Sequence, residues 1–315
     1  MNIFLDSLNV IFAGLYHGMQ ISGAVMVGIG LLTLALSFLP EKSAKESATG
    51  GDSKTGRSGS NGLKIFAKSV VGDRAYQQDF FVFSKCEEND VFQSAGQLAV
   101  VCDGMGGMEG GELASRTCAE TIYKGFYEMG GADDICQLLK ELIGEANREV
   151  SKMTSPTGRV LNSGTTVVAA VVKNGRIYWA SAGDSRIYLF REDNLKQLTR
   201  DHNFRLTLME RCAAGLISIN EVEANRQKDA LISYVGKGSD IIIDTGVADF
   251  DGSKGDIAVL CSDGLYKYLS NEEIRMIIQH HGRSGGLAET LVNSALTSSK
   301  RGKRDNITVL TIMGG

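Results

Sequence analysis

The sequence predicts an α+β domain held behind a membrane anchor and a polar tether. Three observations carry this. Strand-like runs follow one another in series, and helical patterns come in pairs instead of alternating with strands. One long uncharged apolar stretch is followed by a segment with almost no apolar residue. The chain has 315 residues, 43% hydrophobic and 22% charged, which is the range of globular proteins. It holds 38 Gly and 2 Pro with no G-X-Y period, which excludes a collagen. The net charge of -4 argues against a general nucleic-acid binder, which carries a basic excess.

The anchor occupies residues 1–40. No charged residue lies between Ser7 and Pro40, and Ile21 to Leu39 is nearly all apolar. As a helix those 19 residues reach about 28 Å, close to the ~30 Å of a bilayer core. A signal peptide fits less well, because no Lys or Arg precedes the run and no A-x-A site follows it. Lys42, Lys45, Lys54 and Arg57 lie downstream against Asp6 upstream. The positive-inside rule then places the rest of the chain in the cytoplasm, a single-pass arrangement. Residues 41–62 form the tether. From Ser43 to Gly62 the only apolar residues are Ala44 and Ala48, so the segment cannot bury a face.

Residues 63–315 form the domain. Residues 1–62 hold four basic and four acidic residues, so the domain carries the whole net charge. Runs rich in β-branched and aromatic residues predict strands: LKIFAKSV, FFVFS, QLAVVC, TTVVAAVV, RIYWAS, RIYLF, DIIIDTGV, DIAVLCS and NITVLTI. Helical periodicity predicts Glu112 to Met129, Asp133 to Met153, Glu272 to His280 and Leu287 to Ser299. Ser270 and Glu273 form a capping box before the third of these. Shorter helices are expected at Phe204 to Ala214 and Asn220 to Arg226, separated near Gly215. The six cysteines contain no C-x-x-C and read as reduced, buried thiols of a cytosolic domain.

Aspartates fall at strand ends. Asp103 follows QLAVVC and opens DGMGG; Asp263 follows IAVLCS and opens DGL. Asp79 precedes FFVFS, Asp305 precedes NITVLTI, and Asp184 sits in the turn AGDSR. A residue ending one strand and a residue starting its antiparallel partner share one edge of a sheet. Asp79 can then meet Asp103, and Asp263 can meet Asp305. A single Asp-Gly is ordinarily a plain turn, but five aspartates at one rim repel unless a cation sits among them. All-oxygen donors favour Mg2+ or Mn2+; the four histidines make no zinc pattern. Gly104, Gly106 and Gly107 let backbone come close, so the Gly104 carbonyl can be a ligand. Counting G-x-G-x-x-G from Gly104 lands on Glu109, which excludes a dinucleotide fingerprint. Arg74, five residues before Asp79, is suited to a bidentate grip on phosphate. Two metals beside such an arginine suggest phosphoester hydrolysis.

In that order, RAYQQD, VVCDGMGG, SGTT, AGDSR, LTRDHN, CSDGL and RDN resemble the metal-dependent protein serine/threonine phosphatases of type 2C, the PPM family. DGMGG in place of DGHGG is similar to the bacterial branch. The resemblance covers nearly all of Leu63 to Gly315. It implies a four-layer α-β-β-α sandwich of two antiparallel sheets flanked by helices, with two Mn2+ or Mg2+ ions at one end. It implies that Asp103 bridges both metals and that the Gly104 carbonyl binds one. Asp263 and Asp305 hold the other, Asp79 supports the Asp103 side, and Arg74 binds phosphate. Asp184 matches an aspartate linked to a third, weaker metal. Two departures stand out. Gln77-Gln78-Asp79 replaces a more usual Asn-Glu-Asp, and Met105 replaces a histidine proposed as general acid. His202 matches no ligand position and reads as structural; Asn306 reads as orienting its turn. The implied function is a membrane-tethered phosphatase acting on phosphoproteins, opposed by a serine/threonine kinase, with no nucleic-acid partner. A non-catalytic scaffold of the same fold and a small-molecule phosphoester hydrolase are the alternatives.

Overall fold

The computed structural model describes residues 54–55, 62–84, 95–107, 110–129, 132–155, 158–282, 284–299 and 302–314, all within the compact unit Ala48–Gly315. The anchor read over residues 1–40 and most of the tether read over 41–62 lie outside the described residues. Among the described residues no helix is long and apolar enough to cross a membrane.

In chain order the strands are β1 (Lys54–Thr55), β2 (Leu63–Val70), β3 (Asp79–Phe83), β4 (Gln97–Met105), β5 (Gly164–Thr165), β6 (Val167–Lys173), β7 (Arg176–Ala182), β8 (Arg186–Arg191), β9 (Asn194–Gln197), β10 (Asp244–Asp249), β11 (Ile257–Cys261) and β12 (Ile307–Gly314). The helices are α1 (Gly110–Glu128), α2 (Ile135–Ser151), α3 (Phe204–Ala213), α4 (Ile219–Ala224), α5 (Asp263–Tyr266), α6 (Asn271–His281) and α7 (Leu287–Thr297). One sheet has the order β1-β2-β12-β11-β8-β9 and the other β10-β7-β6-β4-β3, with β5 added to the end of β4. Every strand pair is antiparallel.

The side-chain period of two sorts the central strands into layers. On β4, Ala99 and Val101 face the other sheet, where they join Val168 and Ala170 of β6, Leu260 of β11 and Leu310 of β12. Leu98, Val100 and Cys102 face the opposite way and pack on Ala114, Cys118, Ile122 and Phe126 of α1. Those four recur every fourth residue, one stripe of a helix. The first sheet repeats the plan: Val259, Cys261, Ile307 and Val309 meet Ile274 and Ile278 of α6 and Leu287, Leu291 and Ala295 of α7. Central strands are therefore buried on both faces, which is why QLAVVC and TTVVAAVV are continuously apolar. The layers run helix, sheet, sheet, helix, as the resemblance implied.

Local chemistry sets the ends. The Asp134 side chain accepts from Gln137 N–H at 3.0 Å and starts α2 there. Ser270 and Glu273 form the expected capping box of α6. The strand read from Asp240 begins only at Asp244, because Ile241 and Ile243 pack against the α1–α2 layer before the chain pairs with β7. Strand β9 was not legible, since NLKQ offers a single apolar residue. Its hairpin with β8 turns through Glu192 and Asp193, both at positive φ (48° and 59°). Within the stretch read as tether, Lys54 and Thr55 pair with Ala67 and Phe66 of β2. Backbone hydrogen bonds to a sheet edge need no apolar side chain, so composition gave no sign of this pairing.

Candidate metal centre

Antiparallel pairing brings the strand-end aspartates to one rim. Asp79, first residue of β3, is the register partner of Asp103 on β4. The strand read as ending at Cys102 continues through Asp103, Gly104 and Met105, because β5 pairs with these last two. Across the sandwich, Cys261 of β11 pairs with Val309 of β12 and with Arg186 of β8. Asp263, Asp305 and Asp184 lie just beyond those three partners, at the same end. Asp103 carries the record of the cluster. Burial, then the charges of Asp79, Asp263, Asp184 and Asp305, hold its carboxyl well above the ordinary carboxylate range.

The rest of the rim follows this pattern. Burial pushes Asp79 up to about 7, against the nearby hydroxyls of Thr308 and Ser262. Burial and then Asp263 push Asp184 up to about 7. Burial raises Asp263 as well, against Lys267. Burial and mutual repulsion thus favour the protonated form of these carboxyls, and a cation among them would favour the ionised form.

Individual oxygens show where cations fit. Asp79 Oδ2 accepts from Ser262 Oγ at 2.8 Å, while its buried Oδ1 has no hydrogen-bond donor. Asp263 Oδ2 bonds the Lys267 ammonium, while its buried Oδ1 also has no donor. Buried carboxylate oxygens without donors are costly, and a divalent ion is the natural partner for an all-oxygen set. Among the described residues no three His, Cys, Asp or Glu side chains close into a single cage. Two of the rim carboxylates carry basic partners, with Arg74 Nη2 on Asp305 Oδ2 at 2.8 Å and Lys267 on Asp263.

Backbone geometry supports the rim. Gly104 N–H donates to the Gln78 carbonyl at 3.1 Å. A Cβ on Gly104 would lie 2.6 Å from that oxygen and would collide with the Gly111 carbonyl, so only glycine fits. Gly183, before Asp184, has φ +112°, and a side chain there would meet Thr166. Gln78 does not project as a ligand: its amide donates to Gly107 O at 3.0 Å and closes the DGMGG loop. Gln77 Oε1 accepts from Asp79 N–H at 3.1 Å. The neutral pair thus positions the loop and Asp79.

Two residues hold the rim from behind. Asn306 donates to Val71 O at 2.8 Å and Tyr76 O at 3.0 Å, and accepts from Gln78 N–H at 2.8 Å. It therefore orients the whole Val71–Gln78 loop that carries Arg74, more than its own turn. His202 is buried, accepts from Gly183 N–H at 3.2 Å through Nδ1, and places Nε2 3.0 Å from Asp244 Oδ2. This fixes the Asp184 turn, a structural role. Sequence reading missed Lys267. The available signal was its i+4 spacing from Asp263. Arg186 was also passed over; it binds Asp201 through two hydrogen bonds of 2.9 and 2.7 Å and lies 3.5 Å over the Tyr266 ring.

Comparisons with known proteins concern the family and the fold. The family model for Protein phosphatase 2C matches residues 67–208. The serine/threonine phosphatase stp of Listeria innocua is 30% identical over 218 residues, covering 68% of this chain and 83% of the relative. The crystal structure of the Mycobacterium tuberculosis serine/threonine phosphatase PstP/Ppp superposes with a TM-score of 0.66 at 26% identity, covering 80% of this chain and 99% of that one. The catalytic domain of PstP in complex with two manganese ions gives 0.63 at 27% identity, covering 80% and 97%. With sequence likeness over most of a relative's length and the same layered fold, the chain belongs to the protein phosphatase 2C family of serine/threonine phosphatases.

Proposed function

We propose that the rim holds two Mn2+ or Mg2+ ions and hydrolyses phosphoserine and phosphothreonine in proteins, close to a membrane surface. The observation that carries this is the pair of buried, donor-free oxygens, Asp79 Oδ1 and Asp263 Oδ1, on the rim that also holds Asp103. The PstP structure with two manganese ions supports the ion count. In this reading Asp103 and the Gly104 carbonyl would be among the groups that hold the ions. Asp263 and Asp305 would join them, and Asp79 supports the Asp103 side. Bound there, the ions supply activation of the attacking water and neutralisation of phosphate charge.

The chain's own residues do the rest. Arg74 is more than half exposed and already leans on the rim through Asp305, so its fork can leave that carboxylate for a phosphate. Asn306 holds the Arg74 loop through its bonds to Val71 O and Tyr76 O. Met105 has no proton to give, so solvent protonates the departing serine or threonine oxygen. Ile21–Leu39 anchors the chain and residues 41–62 hold the domain in the cytoplasm near the bilayer. A tether this short favours substrates at the membrane, with a serine/threonine kinase as the opposing enzyme.

The test uses the full chain in detergent. Phosphate release from a phosphothreonine peptide is expected with Mn2+ or Mg2+ and is expected to stop in EDTA. No turnover by the folded, metal-loaded chain would leave the scaffold reading in its place. Carbonate extraction of membranes tests the anchor: native protein released into the soluble fraction removes it.

A further inference from the structure

The Asp184–Asp263 end of the rim carries a cation of its own. Lys267 caps the single-turn helix α5, and its N–H donates to Asp263 O at 3.0 Å. That geometry stacks its side chain over Asp263, one turn away. The ammonium bonds Asp263 Oδ2 and stands 3.9 Å from Asp305 Oδ2. Asp263 is thereby divided: one oxygen turns to Lys267, and the other is buried without a donor. Asp184 is held close by, with Tyr266 Oη donating to its carbonyl at 2.9 Å.

We infer that Lys267 is a resident cation that serves the Asp184–Asp263 end in place of a third divalent ion, so that the chain loads two ions and no more. The inference rests on the two-ion reading above and deepens it. Charge points the same way. Five rim carboxylates against one ammonium and one guanidinium leave a net of −3. Two divalent ions turn this to +1, which suits a phosphate ester. A third ion would have to share Asp263 with an ammonium that cannot be a ligand while charged. A resident lysine also cannot dissociate, so this end of the rim stays compensated at any metal concentration.

The experiment counts ions on the full chain in detergent, stripped with EDTA and titrated with Mn2+ by calorimetry, with bound Mn2+ checked by electron paramagnetic resonance after dialysis. Wild type is expected to bind two Mn2+ per chain. Lys267→Asp, which exchanges the ammonium for a carboxylate, is expected to bind three. Adding Asp184→Asn to that variant is expected to return the count to two. Three ions in wild type, or two in a Lys267→Asp chain that melts like wild type, overturns the inference. Should Lys267→Asp not fold, Lys267→Gln replaces it, with a weaker third binding event expected and its absence counting against the proposal. Wild type binding no Mn2+ would instead sink the two-ion reading on which this stands.

Discussion

The two ends of the sandwich use aspartate in opposite ways. At the end where β7 passes to its neighbours and β11 begins, Asp256 is buried, yet both of its oxygens have donors. Arg191 Nε lies 2.9 Å from Oδ1, and Arg191 Nη2 and the Asp251 N–H reach Oδ2. Asp251 in turn caps the short helical turn Gly252–Lys254 through Ser253 and Lys254. A cavity of about 800 Å3 lies at this end, lined in part by Leu63, Lys173, Arg191 and Asp256, away from the carboxylate rim. At the rim the same residue type sits at equivalent strand ends, but Asp79 and Asp263 each keep a buried oxygen with no donor. The contrast separates structure from function: position at a strand end does not distinguish the two roles, and the completeness of the partners does.

Substitutions can break this contrast. Asp103→Asn is expected to lower kcat by about 10³-fold or more, the scale of losing several kcal/mol of charge stabilisation. In EDTA at alkaline pH, where the rim ionises, the same variant is expected to melt higher than wild type, because one repelling carboxylate is gone. A lower melting temperature would make Asp103 a structural group like Asp256. The next effect is on pH. Asp79 and Asp184 bind protons up to about 7 in the fold and only near the ordinary value of 3.8 when unfolded. The folded chain then holds more protons between those limits, so metal-free stability falls as pH rises from about 4 to about 7. Urea melts in EDTA across that window should show it, and saturating Mn2+ should flatten the slope; a level metal-free profile contradicts the rim.

Asp256→Asn sharpens the other side. It is expected to cost about 2 kcal/mol in urea unfolding, between surface and fully buried ion pairs, with kcat unchanged. A loss of kcat there would extend function to the far end. The smallest expected effect is Ser262→Ala. Its hydroxyl donates to Asp79 Oδ2 and accepts from Thr308 N–H at 3.0 Å, so about 1 kcal/mol of stability should go. Activity should fall less than with Asp103→Asn.

Much of the rim was legible because its carriers obey local rules. An aspartate beside a run of β-branched residues marks a strand end, and antiparallel pairing then sets Asp79 against Asp103 without any knowledge of the rest. Helix pairs were legible from their apolar stripes and, at Ser270, from a capping box. What stayed hidden depends on chains far apart in sequence. Arg74 and Asp305 are 231 positions apart, and Asn306 reaches back to Val71 and Tyr76. Lys267 was hidden for another reason. On a helix surface an i+4 lysine is usually a solvated ion pair, and only the neighbouring Asp305 and Asp184 give it a place in the site. Strand β9 and the Lys54–Thr55 pairing were hidden because edge strands are held by backbone, which every sequence shares.

The position of β12 has a consequence for how the protein is made. This strand is the last of the described strands, yet it lies inside its sheet, between β2 and β11, and Asp305 lies two residues before it. A nascent chain that has delivered β2 and β11 has two sheet edges with no neighbour and a rim lacking one carboxylate. The first sheet cannot close, nor the site assemble, until residues 305–314 emerge from the ribosome. A chain that stops before residue 305 therefore leaves β2 and β11 unjoined and the rim one aspartate short.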